Sequence, residues 1–317
     1  MDFSLDRIIS LISDFTGKQP AVKGMAADKN LFYVLSSTKH KIKNGLYFLT
    51  NNYITEANHI HDSVIITDSD HDPVNNNIYL ITSNPQLIHY KISSTLETKK
   101  VPGIHPTAII HPDAQIDKSA HIGPFCIIGK AIIQQDVVLQ SHITIADQVI
   151  IKSGTVIEGN SYIGARGMAW IWDEQGNRIM QPQIGGVIIE ENCLLGTDIT
   201  IVRGSLSENT VIGSETVIAH GSKIGHGSHV GKQVHFANNV SLAGNAQIGN
   251  RVFLGSACVI SSHVKIPEGC IVGAGAVVNK TFEEENITLA GVPAKIINKN
   301  NFESKPTGAP KPFKKIN

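Results

Sequence analysis

The chain is 317 residues long and electrically balanced, with 27 Lys+Arg against 27 Asp+Glu, 14 His and 4 Cys. That length is enough for two domains that each bury a core, and the balance lacks the basic footprint that nucleic acid or an anionic membrane surface requires, which leaves a small or neutral partner. The opening "MDFSLDRIIS" carries acidic residues where a signal peptide has a basic start, and no run of 18 apolar residues occurs, so a cytoplasmic chain without an integral membrane segment is expected.

Residues 1–100 begin with "LDRIISLISDF", whose apolar spacing fits one face of a helix, and continue with "GLYFLT", "SVIITD" and "NIYLIT", which read as strands separated by polar turns. This pattern predicts a small α/β domain. Its boundary falls at "VPGIHP", where Pro102 and Gly103 punctuate the chain.

From Ile104 an aliphatic residue returns every six positions, at Ile110, Ile116, Ile122 and Ile128, and after a one-residue slip at Ile133, Leu139, Ile145, Ile151, Ile157 and Ile163. Ile189, Leu195, Ile201 and Leu206 continue it less regularly, and from Ile212 through Ile218, Ile224, Val230 and Phe236 to Val278 it is unbroken. Neither a helix nor a heptad has that period. Hexapeptide repeats build parallel β-helices, in which each unit is a short strand and a corner, and stacked coils share one core. The prediction for residues 101–280 is therefore mainly β, a left-handed parallel β-helix in which three hexads make a coil and residues 18 apart lie above one another. Its height would be about nine coils, or roughly 43 Å at the spacing of adjacent strands.

Four positions after each aliphatic the residue is slim, as at Thr216, Ser222, Ser228, Val234, Val240, Ala246, Val252, Val264 and Ala276. Cys126, Cys193, Cys258 and Cys270 occupy the same slot and none forms a CxxC pair, so buried, reduced packing residues are expected rather than a disulfide, a metal site or a nucleophile. A loop at 165–183 interrupts the repeat and carries Trp170 and Trp172; loops projected from a rigid scaffold often carry recognition, here of a substrate or a second subunit. Residues 281–317 form a C-terminal extension whose polar, basic, Pro-containing end reads as disordered.

Four histidines crowd "VIAHGSKIGHGSHVGKQVHF", residues 217–236. His220 and His226 each fall two residues after an isoleucine, at corners of the prism. One coil beyond His226 lies Gly244, in "SLAGNA", and about one coil further His263. A base beside a bare backbone N–H suits acyl transfer, in which imidazole takes a proton from an attacking amine or hydroxyl and the N–H stabilises the oxyanion. Zinc would need converging imidazoles. His263 has no companion and His229 is too close in sequence to His226 to sit on the adjoining coil, so no metal is expected. His229 and His235 read as solvated surface, and His220 as a substrate contact.

Several segments together resemble the UDP-3-O-acylglucosamine N-acyltransferases of lipid A biosynthesis, the LpxD-like family, over nearly all of residues 30–280. "FLTNN" and "NPQL" resemble that family's uridine-binding domain, "GIHPTAIIHPDAQI" the start of its β-helix, "QPQIGGVII" with "VRGSLSENTVIG" its central stretch, and "IGHGSHVG" with "SLAGNAQIG" its catalytic segment. The resemblance implies a homotrimer that moves a 3-hydroxyacyl group from acyl carrier protein to the 2-amino group of a UDP-3-O-acylglucosamine, with no cofactor. It implies His226 as general base, Gly244 as oxyanion-hole backbone, His263 as a support near the donor and the sugar phosphates, and Phe48 and Asn51 at the uracil. A trimer also follows from shape, since one wall of a prism makes a shallow site that a second subunit would close.

The chain departs from the family at four places. Ala219 stands where the family has an Asp seven residues before the catalytic His. "DRG" becomes Val202-Arg203-Gly204, and the "DGFG" loop becomes "GARGMAWIW". In place of a C-terminal helical extension that engages carrier protein stands "LAGVPAKII", residues 289–297, a finish typical of acetyl-CoA-using hexapeptide enzymes. Two alternatives follow: transfer of a short acyl group from acetyl-CoA to a nucleotide-linked amino sugar, and a non-catalytic trimeric scaffold.

Overall fold

Largely uninterrupted apolar runs along Gly45–Leu49, Val64–Thr67 and Ile78–Ile81 produce three neighbouring parallel strands buried on both faces. In this computed structural model, which describes residues 2–25, 31–98 and 100–299, they are the centre of a 6-stranded sheet within the unit 1–99. Phe32–Leu35 extends the sheet in parallel, and Asp2–Ser4 and Ala21–Lys23 close its two edges antiparallel. The helix Leu5–Thr16 starts where the Ser4 hydroxyl accepts the Arg7 N–H and stops at Gly17, whose φ of 71° is left-handed. A second helix, Pro85–Ser94, is capped by Asn84. Ile8, Ile12, Ile88 and Ile92 of these helices pack on Leu46, Val64, Ile66 and Leu80. The alternate residues Tyr47, Ile65 and Tyr79 face the other side with Ala57 of the 3-10 helix Asn51–His59, as a period of two requires. The edge strands are not evident in the sequence pattern, because segments of 3 residues show no period.

Residues 100–317 form the second unit. Its described part is a parallel β-helix of three sheets with 11, 9 and 8 strands. Strands of only two residues are enough because each stacks on the one a coil away: Ile218 pairs with Phe236, Phe236 with Leu254, and Leu254 with Val272. The 8-stranded sheet marks 8 complete coils and the other two sheets carry a further turn, in accord with the period. The aliphatic column and the slim column are both buried from the second coil upward. In the first coil Ile104 is exposed and Ile110 and Ile116 are partly buried, each having a coil of the prism on one side only. Corners need a left-handed residue, and Asn239, Asn245 and Gly227 supply it with φ of 60°, 60° and 63°. The described chain ends with Lys295–Lys299 returning antiparallel on Ile287–Ala290. The disordered tail expected beyond it lies outside the described residues.

The four cysteines are free and buried; desolvation pushes the thiols of Cys193 and Cys258 up to about 11 and about 12, which makes them unreactive packing groups. Two readings need correction. Leu206 does not fill the aliphatic column: it is 49% exposed, because Ile189 pairs with Ile212, 23 residues on rather than 18, and the extra residues leave the wall as a corner loop. The 165–183 segment is not an unstructured loop but carries a hairpin, Trp170–Trp172 against Arg178–Met180, with the two indole rings 4.9 Å apart. Among the described residues no helix is long and apolar enough to cross a membrane.

Candidate active site

One edge of the prism, where the 9-stranded sheet turns into the 8-stranded sheet, collects everything that departs from the repeat. Going up it, the corners follow Tyr162–Ala165 (the hairpin insertion), Thr200–Val202 (the 203–208 loop), Lys223–Ile224 (His226), Ser241–Leu242 (Gly244) and Val259–Ile260 (His263). The sequence interval of one coil therefore does stack Gly244 on His226, and His263 lies one residue past the next position of that column. A methyl group on Gly244 would overlap Nε2 of His226, so the imidazole nitrogen lies directly against the bare Cα. Asn245 donates its N–H to the His226 carbonyl at 2.7 Å, and His263 donates its N–H to the Gly244 carbonyl at 3.1 Å. The Gly244 N–H makes no hydrogen bond to any described residue, which leaves it available as a donor beside the imidazole.

The other face of the His226 ring is held from below. Ser205 Oγ lies 3.0 Å from Nδ1. Ser205 belongs to the tight 203–208 loop, which is tied by Glu208: its carboxylate accepts the N–H of Ser205 at 2.6 Å and of Leu206 at 3.1 Å. Its own backbone N–H first, then those of Ser205 and Leu206, hold Glu208 below the usual carboxylate range, so it is ionised near neutrality. Gln183, nearly fully buried at the base of the hairpin insertion, donates Nε2 to Ser205 Oγ at 3.3 Å. Arg203 joins the two insertions by donating Nε to the Gly185 carbonyl at 2.8 Å and Nη2 to that of Asp147. Buried Thr210 fixes the backbone just after His226: its hydroxyl accepts the Gly227 N–H at 2.9 Å and donates to the Val202 carbonyl at 2.6 Å. None of Ser205, Glu208, Gln183 and Thr210 is singled out by the sequence reading. The available signal is the break in period between Ile201 and Ile212.

The structure does not bring the four clustered histidines together. His220 sits on the preceding edge, between Val217–Ile218 and Lys223–Ile224, and its Nδ1 accepts the Thr197 N–H at 2.9 Å. Ala219, where the resemblance expects a carboxylate, is on that edge too, at the far end of the strand from His226. His229 is exposed beside Gln247, Lys265 and Glu268 in a cavity of about 240 Å³. His235 is not simply solvated: it stacks on Phe253, one coil up, with centroids 5.3 Å apart and planes 15° apart, and burial pushes its ring below the ordinary histidine range.

In the first unit, Phe48 is half-buried between His89, at 5.2 Å, and Tyr90, at 6.4 Å. Asn51 donates its N–H to Asp68 at 2.6 Å and lines, with Asp68, Ser69, Asp70 and His71, a pocket of about 340 Å³. Among the described residues, no three His, Cys, Asp or Glu converge to hold a metal ion.

The bacterial transferase hexapeptide family (six repeats) matches residues 245–280, the stretch from the Gly244 corner through His263, and the hexapeptide repeat of succinyl-transferase matches residues 186–204. These two stretches carry hexapeptide repeats of the transferase type. Among solved structures this chain is similar to UDP-N-acetylglucosamine O-acyltransferase (LpxA) from Moraxella catarrhalis, with 29% identity, a TM-score of 0.58, and coverage of 63% of this chain and 76% of that one. LpxA from Acinetobacter baumannii follows with 28% identity, a TM-score of 0.56 and coverage of 61% and 73%. For the UDP-N-acetylglucosamine acyltransferase of Francisella novicida the values are 26%, 0.52, 62% and 71%. No curated protein matches the sequence. These likenesses support an acyltransferase; the Moraxella relative is named an O-acyltransferase, whereas the sequence motifs resemble an N-acyltransferase family.

Proposed function

We propose that this transferase moves a 3-hydroxyacyl group from the thioester of acyl carrier protein to the 2-amino group of a UDP-3-O-acylglucosamine. The observation that carries the reading is the apposition of His226 Nε2 and Gly244, an unhindered nitrogen base against a backbone with a free N–H. The neutral amine attacks the thioester carbonyl while Nε2 takes its proton. The carbonyl oxygen becomes an oxyanion facing the Gly244 N–H. As the tetrahedral adduct collapses the C–S bond breaks, the amide forms, and the proton on His226 passes to the leaving thiolate. Relatives named for acylating UDP-N-acetylglucosamine support a nucleotide-sugar acceptor. In this reading Phe48, flanked by His89 and Tyr90, and Asn51 receive the uracil, exposed His263 meets the donor or the phosphates, and a trimer supplies the second wall of the site.

The test offers the purified protein 3-hydroxyacyl-carrier protein and acetyl-CoA, each with UDP-3-O-acylglucosamine and with UDP-N-acetylglucosamine, and reads the products by mass spectrometry. An amide formed from the carrier-protein donor is expected. An ester on UDP-N-acetylglucosamine would transfer the assignment to O-acylation, and turnover with acetyl-CoA alone would overturn the donor. His226→Ala should lower kcat by about 10²- to 10⁴-fold with the oligomer intact; unchanged turnover would remove His226 as the base.

A further inference from the structure

The His226 ring can act as a base through Nε2 only if its neutral form carries the proton on Nδ1, because a ring protonated on Nε2 has no lone pair there. Which nitrogen is protonated is decided by what faces Nδ1, and that is the Ser205 hydroxyl at 3.0 Å. A hydroxyl has one proton to give and lone pairs to accept with. Were Ser205 to give that proton to Nδ1, His226 would be fixed in the wrong tautomer for a base.

We propose that Glu208 and Ser205 form a relay that sets the tautomer of His226, with the Ser205 proton turned toward the Glu208 carboxylate and the Ser205 oxygen accepting Nδ1–H. This inference rests on the reading of His226 as the base. Glu208 is the charged acceptor in the loop: it already grips the N–H groups of Ser205 and Leu206, and the Ser205 hydroxyl adds to the interactions that hold it ionised. A hydroxyl bond to a carboxylate is about twice as strong as one to a neutral acceptor, so the proton turns away from the imidazole. Gln183 Nε2 also donates to Ser205 Oγ at 3.3 Å, which adds to the acceptor role of that oxygen. The geometry is built by the extra residues between Ile201 and Ile212, which displace the corner from the wall and bring Ser205 under the ring. Ser205 and Glu208 are positioning residues that do the orienting work expected of a carboxylate at Ala219, and they do so from the edge that carries His226.

The test is the 15N NMR spectrum of histidine-labelled full-length protein, in which Nδ1 and Nε2 of His226 are distinguished by their shifts and assigned by loss in His226→Ala. The wild-type neutral ring is expected to be protonated on Nδ1. In Ser205→Ala the preference for Nδ1–H should be lost. In Glu208→Gln the new amide can donate to Ser205, whose proton then turns to the ring, and the signal should move to the Nε2–H form. kcat should fall about tenfold in both, the lower end of what a partner that fixes a histidine tautomer is worth, with KM for the acceptor sugar unchanged and with recovery in Ser205→Thr. An Nε2–H ring in the wild type, or spectra unchanged in both variants, overturns the relay. A shift in Ser205→Ala alone removes Glu208 from it. Because the tautomer is read without turnover, these results stand apart from the activity of His226→Ala, which tests the base itself.

Discussion

Two adjacent edges of the same prism carry histidines one strand apart, and the contrast between them lies in what meets each ring. On the first edge, Nδ1 of His220 accepts a backbone N–H from Thr197, so its neutral ring is protonated on Nε2 and serves to tie one coil to the next. On the second edge, Nδ1 of His226 meets a hydroxyl whose polarity a carboxylate can set, and Nε2 faces Gly244. The first edge keeps the repeat at this level. The second breaks it in two coils, with the hairpin insertion and the 203–208 loop, and those breaks supply the polar groups under His226. A β-helix is indifferent to what its corners carry, because its stability comes from nearest-neighbour stacking of the walls, so one edge can be given over to chemistry without disturbing the others.

The largest effect on this contrast should come from Gly244→Ala. Its methyl group would overlap Nε2 of His226, and displacing the ring while shielding the backbone donor should cost about a hundredfold in kcat. The thermal midpoint should stay near wild type, since Gly244 is a corner residue outside the buried columns; steady-state kinetics and calorimetry on one preparation check both. A much smaller change is expected from His220→Ala, within about threefold in kcat, with a loss of about 1 kcal/mol in denaturant unfolding from the lost bond to Thr197. A loss in kcat equal to that of His226→Ala would end the distinction between the edges.

The smallest effect concerns histidines away from the two edges. Burial lowers the His235 ring below its ordinary 6.5, and burial likewise lowers His89, partly offset by its bond to the Leu46 carbonyl. In both cases the unfolded chain takes up a proton first as pH falls through about 6.5, so these groups make the fold less stable toward acid and cost nothing above that pH. The denaturation midpoint should therefore drop between about pH 7.5 and about pH 5.5. His235→Phe, which keeps a ring on Phe253, should shrink the drop; an unchanged pH dependence would show that His235 is solvated after all.

Much of the second unit can be read without coordinates. A period of six over so many residues forces side chains 18 apart into one column, and the slim residues at Ser222, Cys258 and Ala276 report how little room each corner leaves inside. The same arithmetic stacks Gly244 on His226 and brings His263 to within one residue of that column. It fails at Leu206, which has the right residue type at the wrong distance, and it is silent on Ser205 and Glu208, because inside an insertion there is no period left to count. The N-terminal unit is less legible for a related reason. Its three central strands stand out as apolar runs, whereas Asp2–Ser4 and Ala21–Lys23 acquire their role only by pairing with strands distant in sequence.

The sequence by itself determined the β-helix, its coil length, the burial of the four cysteines and the column that holds His226 under Gly244, since all of these follow from a short-range repeat that each hexad enforces on its neighbours. Only the tertiary structure decided what meets Nδ1 of each ring, a backbone N–H at His220 and a hydroxyl at His226, that a hairpin fills the 165–183 segment, and that Ser205, Glu208 and Gln183 gather beneath one imidazole. Those contacts join insertions that obey no period, and their positions are set by where the rigid walls leave the chain free to project.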